Sequence, residues 1–254
     1  AIKKSELYSS LWKSCDALRG GMDASQYKDY ILVLLFIRYV SDKYGGLDDS
    51  IIDIPKGGSF KDLIALKGKP EIGDGINKVI AKLAEANGLK GVIDVADFND
   101  PDKLGSGKEM QDKLSNLIGI FQNEDLNFSK NKSEGDDLLG DAYEYLMRHF
   151  ATESGKSKGQ FYTPAEVSIV ISKVIGMSNA KRKDWTVYDP TCGSGSLLLK
   201  AAAETPKGIT IYGQENDVAT RALAMINMWL HENPGAEIWR GNTLSDPHFK
   251  YNDG

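Results

Sequence analysis

An α/β fold is predicted for this sequence: a mostly α-helical N-terminal domain followed by the first half of a doubly wound parallel sheet. Three observations support it. Apolar residues recur at helical spacing through the first part of the chain. The small polar stretch "ESGKSKGQ" (153–160) is typical of a linker. After it, short strands alternate with helices, as in parallel sheets with crossover helices. We therefore predict two domains, residues 1–158 and residues 159–254.

Two helices are predicted in residues 1–43, separated by the Gly20-Gly21 pair. The second begins near Asp23 and contains the apolar run "ILVLLFIRYV" (31–40). This run is too short to span a bilayer and contains Arg38, so we interpret it as a buried core helix. The apolar positions of the first helix are Leu7, Leu11, Trp12, Cys15 and Leu18.

The middle of the chain combines turns with three further helices. Residues 44–73 are rich in Gly, Asp and Pro and predict turns, with one short strand at 51–54. Helices are predicted over "DGINKVIAKLAEANG", which Gly88 ends, over 108–121 and over "GDDLLGDAYEYLMRHFA". The last of these has one apolar face, formed by Leu139, Ala142, Tyr143, Leu146 and Phe150.

Three strands and three helices are predicted after the linker. A helix follows Pro164, and the strands cover residues 186–188, 209–213 and 237–240. Helices over residues 197–203 and 218–231 connect them. This order predicts a parallel sheet.

Composition indicates an ordinary soluble protein without a basic field for nucleic acid. The chain has 41% hydrophobic and 26% charged residues and a formal net charge of −5. Its two cysteines, Cys15 and Cys192, are far apart, which excludes a disulfide framework and a cysteine metal site and fits a reducing cytoplasm. No metal site and no signal peptide are predicted.

Two short segments resemble known phosphate-binding or catalytic motifs but lack residues that those motifs require. "SGKSKG" lacks the glycine and the preceding strand of a phosphate-binding loop, because Phe150 stands where that glycine belongs. Gly193-Ser194-Gly195 lacks the first glycine of a serine nucleophile elbow, since Cys192 occupies that position. Cys192 is close to a helix N-terminus, which can lower a thiol pKa, but we interpret it as a packed turn residue.

The stretch "YDPTCGSGSLLL" (188–199) indicates a ligand site at the end of the first strand. Asp189 closes the strand, a glycine-rich turn follows, and a helix begins behind it. Glu215, in "GQEND" at the end of the second strand, follows about 20 residues later, as does the acid that binds ribose hydroxyls in nucleotide-binding folds. This pair predicts an adenosine ligand without choosing between a nicotinamide cofactor and S-adenosylmethionine (AdoMet).

The segment "GQFYTPAEV" (159–167) favours AdoMet. Thr163 and Glu166 predict a capping box with Pro164 at the first helical position. A helix start needs only one apolar residue outside it, whereas this sequence has two aromatic residues there, Phe161 and Tyr162. A helix N-terminus can also face an anionic carboxylate, such as that of AdoMet.

Taken together, "GQFYTP", "YDPTCGSGSLL", "GQEND" and "GNTL" resemble the cofactor motifs of adenine-N6 DNA methyltransferases. With "LRGGMDASQYKDYILVLLFIRYVSDKY" and "DDLLGDAYEYLMRHFATESGKSKGQFYTP", essentially the whole chain resembles the modification subunit of type I restriction–modification systems. The resemblance implies the AdoMet-dependent methyltransferase fold.

The resemblance also implies a set of cofactor-binding residues. The segment 160–165 would surround the methionine part of AdoMet, the glycine-rich turn would lie under the cofactor, Glu215 would hold the ribose and Asn242 would lie near the adenine amine. The complete set is Gln160, Phe161, Tyr162, Thr163, Pro164, Ala165, Asp189, Gly193, Ser194, Gly195, Ser196, Glu215 and Asn242. An amide oxygen at Asn242 would accept the adenine hydrogen bond more weakly than the family's more frequent carboxylate.

No catalytic residue is assigned within the 254 residues. The family's Asn-Pro-Pro-aromatic segment, which binds the flipped adenine, does not occur in this sequence. The sequence closes with "SDPHFKYNDG", where we expect a fourth strand to be about to begin. Without that strand the first strand would be an exposed edge, so we expect a truncated sheet, a fragment of a longer subunit, and no activity of this chain alone.

The resemblance implies methyl transfer from AdoMet to adenine N6 in double-stranded DNA. The expected partners are a specificity subunit that reads the sequence, a second modification subunit and, in the full complex, a restriction subunit. Residues 1–158 would pack against partners and DNA in the cytoplasm. The alternatives are a non-catalytic AdoMet-binding or assembly fragment, part of a stand-alone adenine methyltransferase and, more remotely, a nicotinamide oxidoreductase.

Overall fold

The computed structural model describes residues 4–47, 50–124, 138–153, 162–182 and 184–250. The chain divides into two compact units, Ala1–Gly155 and Lys156–Gly254. The domain boundary after residue 158 stays a prediction, because the residues around it lie outside the described ranges. In the described part of the chain, no helix is both long enough and apolar enough to cross a membrane.

The first unit is helical, as predicted. Its helices are α1 (Lys4–Ala17), α2 (Ala24–Tyr44), α3 (Phe60–Ile64), α4 (Ile72–Ala86), α5 (Pro101–Leu104), α6 (Gly107–Phe121) and α7 (Leu138–Glu153). The sequence had not predicted α3 and α5. Both are very short and are set by local capping: Ser59 and Asp62 form a capping box for α3, and Asp100 caps α5 in front of Pro101.

Helix α2 forms the centre of this unit, and α3, α6 and α7 pack against it. Every residue from Tyr30 to Val40 is buried, which explains why the apolar run shows no single hydrophobic face. Arg38 tolerates burial because its Nε lies 2.8 Å from Asp42 Oδ2 and its guanidinium lies over the Phe60 ring. The prediction of a buried core helix is confirmed.

Helices α1 and α7 contact each other through aromatic side chains. Trp12 stacks on His149 at 4.9 Å and meets Phe150 edge-on at 5.0 Å. On α7, Ala142, Tyr143, Leu146 and Phe150 are buried, as the helical period predicts.

The short strand predicted at residues 51–54 is wrong: this segment is a bend followed by an irregular stretch in the structure. Its backbone polar groups pair with a side chain instead of a neighbouring strand. Asp53 N–H donates to Asn87 Oδ1 at 2.8 Å, and Asn87 Nδ2 donates back to the Asp53 carbonyl at 2.7 Å. The apolar period of this segment reflects only the burial of Ile52.

The second unit contains a parallel sheet, as predicted. Its elements are α8 (Ala165–Val174), a 3-10 turn at Met177–Asn179, β1 (Thr186–Asp189), α9 (Ser196–Ala203), β2 (Thr210–Glu215), α10 (Val218–Leu230) and β3 (Glu237–Arg240). The strands pair in the order β1-β2-β3, with Tyr188 beside Tyr212 and Tyr212 beside Glu237. Within the described residues β1 is therefore an edge, and Thr186 and Tyr188 are exposed.

The two faces of the sheet are covered differently. Leu198 of α9 and Met228 of α10 pack with Ile211 and Ile238 on one face, and α8 packs against α9. Side chains alternate along a strand, so the neighbouring residues occupy the other face. There, the segment 241–250 folds back and places Phe249 against Tyr188 and Tyr212, at 5.4 and 4.9 Å between ring centroids.

The buried side chain of Gln214 holds this returning segment on the sheet. Its Oε1 accepts from His248 N–H at 3.1 Å and from the Tyr188 hydroxyl at 3.2 Å, and its Nε2 donates to the Asp246 carbonyl at 2.8 Å. His248 also stacks on Trp239 with 3.6 Å between ring centroids. Residues 241–250, after β3, thus form a turn and an irregular segment.

The capping box predicted at Thr163 and Glu166 is wrong. Pro164 has φ −54° and ψ 140°, which is not helical, so α8 begins at Ala165 and Pro164 is its N-cap. The third helical position then falls on Val167, and no side chain caps the helix. The predicted box was one residue out of register.

The N-cap of α2 provides a test of local stability. Asp23 accepts the Ser25 N–H at 2.8 Å. We expect Asp23→Ala to lower the free energy of unfolding by about 1 kcal/mol, because an orphan N–H of the first turn loses its acceptor. Urea denaturation followed by circular dichroism measures this change. Asp23→Asn is the matched control and should change it little, since asparagine caps equally well. Equal losses in both variants would contradict the capping role.

Candidate functional site

The glycine-rich turn, residues 190–195, connects β1 to α9 at the carboxyl end of the strand. Gly193 and Gly195 have φ of +55° and +77°, a region that glycine enters without a Cβ penalty. The turn closes on itself through Gly195 N–H, which donates to the Cys192 carbonyl at 2.8 Å. Cys192 N–H donates to the Gln214 carbonyl at 3.0 Å, which ties the turn to β2.

The Glu215 carboxylate lies at the end of β2 and binds the same turn. Its Oε2 accepts Gly193 N–H at 3.1 Å, and its Oε1 accepts Asp217 N–H at 2.8 Å. The side chain is half-buried and binds two backbone N–H groups. Each carboxylate oxygen can accept a further hydrogen bond, which leaves acceptor capacity for a ligand hydroxyl.

Asp189 ends β1 and is half-buried beside Gly213 of β2. Burial raises the pKa of its carboxyl above the usual value, and the hydrogen bond from Thr191 N–H, 2.9 Å long, opposes that shift. The residue therefore lies where the sequence analysis expects a ligand, at the carboxyl edge of the sheet.

The serine hydroxyls of the turn region face inward. Ser194 and Ser196 are buried, and their Oγ atoms lie 3.0 Å apart in a mutual hydrogen bond. A ligand at this turn would therefore meet backbone groups rather than these two hydroxyls.

Cys192 is a packed residue of the turn. Burial raises the pKa of its thiol, and the nearby Asp189 and Glu215 carboxylates raise it further. The interpretation of a packed turn residue therefore fits better than a thiol activated by the helix N-terminus. Its packing partner is Gly213, where an added Cβ would lie 2.9 Å from Cys192 Sγ and 2.8 Å from Ile238 Cδ1.

The segment predicted to surround the methionine end is only partly described. Gln160 and Phe161 lie outside the described residues. Tyr162 is buried, Thr163 and Ala165 are half-buried and Pro164 is exposed, all at the start of α8. The structure connects this segment to the turn through the packing of α8 on α9.

Asn242 follows β3 and is exposed. Its Oδ1 accepts Leu244 N–H at 3.0 Å, so the amide oxygen expected near adenine already takes part in a local turn. The loop nevertheless reaches the other two strand ends. Gly241 N–H donates to the Glu215 carbonyl at 3.0 Å, and Thr243 Oγ1 donates to the Pro190 carbonyl.

Two contacts to the turn were missed by the sequence analysis, those of Thr243 and Asn227. Asn227 is buried on α10, and its Nδ2 donates to the Ser194 carbonyl at 3.0 Å. An amide on the apolar face of a helix is the signal that could have identified it, because buried polar groups need partners. No comparable sequence signal marks Thr243.

Comparison with known proteins gives one consistent result for both units. A model of the HsdM N-terminal domain matches residues 7–121, and a model of the N-6 DNA Methylase domain matches residues 134–254. The type I restriction enzyme MpnII methylase subunit of Mycoplasma pneumoniae is 31% identical over 87% of this chain and 49% of its own length. The MjaVIII methylase subunit of Methanocaldococcus jannaschii is 29% identical over 98% of this chain and 45% of its own length.

The fold is shared with solved structures. A type I restriction-modification system methyltransferase subunit from Streptococcus thermophilus superposes with a TM-score of 0.79 at 27% identity, over 99% of this chain and 61% of that one. A modification subunit of a putative type I restriction enzyme from Vibrio vulnificus superposes at 0.60 and 20% identity, which shows the fold alone. The chain spans about half the length of the curated relatives it matches.

The close approach at Gly213 generates a prediction for the turn. We expect Gly213→Ala to lower the free energy of unfolding by about 1–3 kcal/mol, because a methyl group there overpacks against Cys192 and Ile238. Urea denaturation of the purified chain measures this loss. Gly235→Ala is the control, since an added Cβ there meets nothing within 4 Å. A Gly213→Ala variant as stable as the control would show that the turn is not packed onto β2 as described.

Proposed function

Because the chain belongs to the family of type I restriction enzyme methylase subunits, we propose that its second unit binds AdoMet for adenine-N6 methylation of DNA. The observation that carries the proposal is the hydrogen-bonded pair of Glu215 and the glycine-rich turn at the carboxyl ends of β2 and β1. In open parallel sheets, this edge is where ligands bind.

The residues present fit an adenosine ligand with a charged amino-acid end. Glu215 keeps acceptor capacity for ribose hydroxyls, and Asp189 lies beside it at the strand edge. The turn would contribute Gly193, Ser194, Gly195 and Ser196 through backbone groups, because the two serine hydroxyls bind each other. When bound, AdoMet supplies the methyl group.

The two remaining groups of residues would hold the ends of the cofactor. Tyr162, Thr163 and Pro164 precede α8 and Ala165 is its first residue. With Gln160 and Phe161 they would face the methionine part. Asn242 would share its Oδ1 between Leu244 N–H and the adenine amine, since a carbonyl oxygen accepts two hydrogen bonds.

Double-stranded DNA and other subunits of a type I system are the proposed partners. A net charge of −5 gives this chain little electrostatic attraction for phosphate, so a specificity subunit would supply sequence reading, beside a second modification subunit and a restriction subunit. Residues 1–158 would serve assembly. Both cysteines are free and buried, which fits the proposed cytoplasmic location.

The proposal assigns to this chain cofactor binding rather than the complete transfer reaction. The sequence contains no Asn-Pro-Pro-aromatic segment to bind the target adenine. The chain alone is therefore expected to bind AdoMet without methylating DNA.

Calorimetry with AdoMet and with NAD tests the cofactor. We expect heat of binding with AdoMet and a clearly weaker response with NAD, because the turn lacks the third glycine of the dinucleotide fingerprint, where Leu198 stands. The same titration on a chain extended through the Asn-Pro-Pro-aromatic segment serves as the reference. Equal affinity of the extended protein for the two ligands would refute the proposed function.

Replacement of Glu215 tests the residue that carries the proposal. We expect Glu215→Ala to weaken AdoMet binding by about 1–3 kcal/mol, the scale of a lost hydrogen bond to a charged group. Calorimetry measures the loss. Glu237→Ala removes an exposed carboxylate at the start of β3 and is the matched control, with no expected change. Unchanged affinity in the Glu215 variant would exclude this residue from the site.

A further inference from the structure

Asn227 occupies a position on α10 where its neighbours are apolar. Its side chain is 4% exposed, and Leu223, Ala224 and Met228 around it on the helix are also buried. Burying an amide in such a place is unfavourable unless its hydrogen bonds are made. The hydrogen bonds of Asn227 therefore indicate why an asparagine occupies this position.

The donor side of the amide binds the glycine-rich turn. Asn227 Nδ2 donates to the Ser194 carbonyl at 3.0 Å, and Ser194 is itself only 1% exposed, so water does not compete for this carbonyl. The turn also lies against the same helix, because an added Cβ on Gly195 would be 3.7 Å from Ala224 Cβ and 2.5 Å from Met228 Cε.

The acceptor side of the amide has no hydrogen-bond partner among the described residues. The reversed amide would place Oδ1 against the Ser194 carbonyl oxygen, so the present orientation is the favourable one. A leucine, with the same number and branching of side-chain heavy atoms, would place no buried, unpaired acceptor here. Packing alone therefore does not account for an asparagine here, whereas the donated hydrogen bond does.

That hydrogen bond fixes one peptide plane of the turn. The Ser194 carbonyl and the Gly195 N–H belong to the same planar trans peptide and point in opposite directions. Asn227 binds the carbonyl, and the Cys192 carbonyl binds the N–H at 2.8 Å. Both ends of this peptide plane are thus hydrogen-bonded. The following residue, Gly195, has φ +77° and no Cβ, so by itself it would resist rotation of the plane only weakly.

We propose that Asn227 is a positioning residue, which holds the Ser194–Gly195 peptide so that the turn keeps its ligand-binding conformation. The consequence for AdoMet rests on the proposed function, whereas the effect on the turn itself does not. Loss of the Nδ2 donor should let the peptide rotate, and the turn would then have to be reordered when a ligand binds.

The experiment uses the whole chain and three variants. Asn227→Leu removes the donor and keeps the number and branching of the side-chain heavy atoms, and Asn227→Asp replaces it by a group that donates only when protonated. Ser172→Ala is the control, because it removes a buried hydroxyl that donates to the Ser168 carbonyl within α8 rather than to the turn. Hydrogen exchange of the peptide covering residues 189–199 is measured without ligand, and AdoMet affinity is measured by calorimetry.

In Asn227→Leu we expect the turn amides to exchange at least about tenfold faster and AdoMet to bind about tenfold more weakly, as for one lost hydrogen bond. The Ser172→Ala control should leave both values unchanged. Unchanged exchange in Asn227→Leu would overturn the positioning role, whether or not AdoMet binds. Absence of AdoMet binding by the wild-type chain would instead count against the proposed function, and the exchange data would still decide this inference.

The aspartate variant gives a signature that lost packing cannot produce. A buried carboxyl has a raised pKa, so its protonated form becomes populated as the pH falls from about 8 to about 6. It can then donate to the Ser194 carbonyl, whereas the carboxylate would repel that oxygen. Relative to wild type, Asn227→Asp should therefore regain both the protection of the turn amides from hydrogen exchange and the affinity for AdoMet at the lower pH. A pH-independent defect would contradict the proposal, and this variant decides the question if Asn227→Leu does not fold.

Discussion

Residues 192–195 of the glycine-rich turn are buried and cannot leave their backbone N–H and C=O groups without partners, and this requirement organises the second unit. The Glu215 carboxylate from β2 binds Gly193 N–H, and the Asn227 amide from α10 binds the Ser194 carbonyl. At the exposed start of the turn, Thr243 from the loop after β3 binds the Pro190 carbonyl. Because each partner comes from a different part of the chain, the turn takes its shape only when strands, helix and loop are assembled. The candidate site and the core of this unit are therefore one structure.

The same principle accounts for the polar groups that lie elsewhere in buried positions. Arg38, on the central helix of the first unit, can be buried because its guanidinium contacts Asp42 and the Phe60 ring. The Gln214 side chain can be buried on one face of the sheet because it binds the returning segment 241–250 through Asp246 and His248. In both cases a polar side chain determines where a neighbouring element lies, which apolar contacts alone leave open because they are not directional.

Much of the fold could be predicted from the periodicity of apolar residues, and little of it from local signals such as capping boxes. The long helices and all three strands were predictable, because burial of one helix face or strand face leaves a repeating pattern. The errors have two sources. A tertiary contact decided one, since Asn87 binds the segment predicted as a strand. Local backbone geometry decided the other, since the extended ψ of Pro164 moves the start of α8 by one residue. In the site, Asp189, the glycines and Glu215 were identifiable from residue type and spacing. Gln160 and Phe161 lie outside the described residues, and the role assigned to Asn242 stays a prediction.

The sequence by itself determined the long helices, the three strands, their order and the family, since composition, helical and strand periods and the motifs around Gly193 and Glu215 are properties of neighbours along the chain. The tertiary structure alone decided how these motifs interact. It directed Glu215 Oε2 to Gly193 N–H and brought Asn227 under the turn. The physical reason is that hydrogen bonds depend on distance and direction between groups far apart in sequence, and those quantities exist only after the chain has folded.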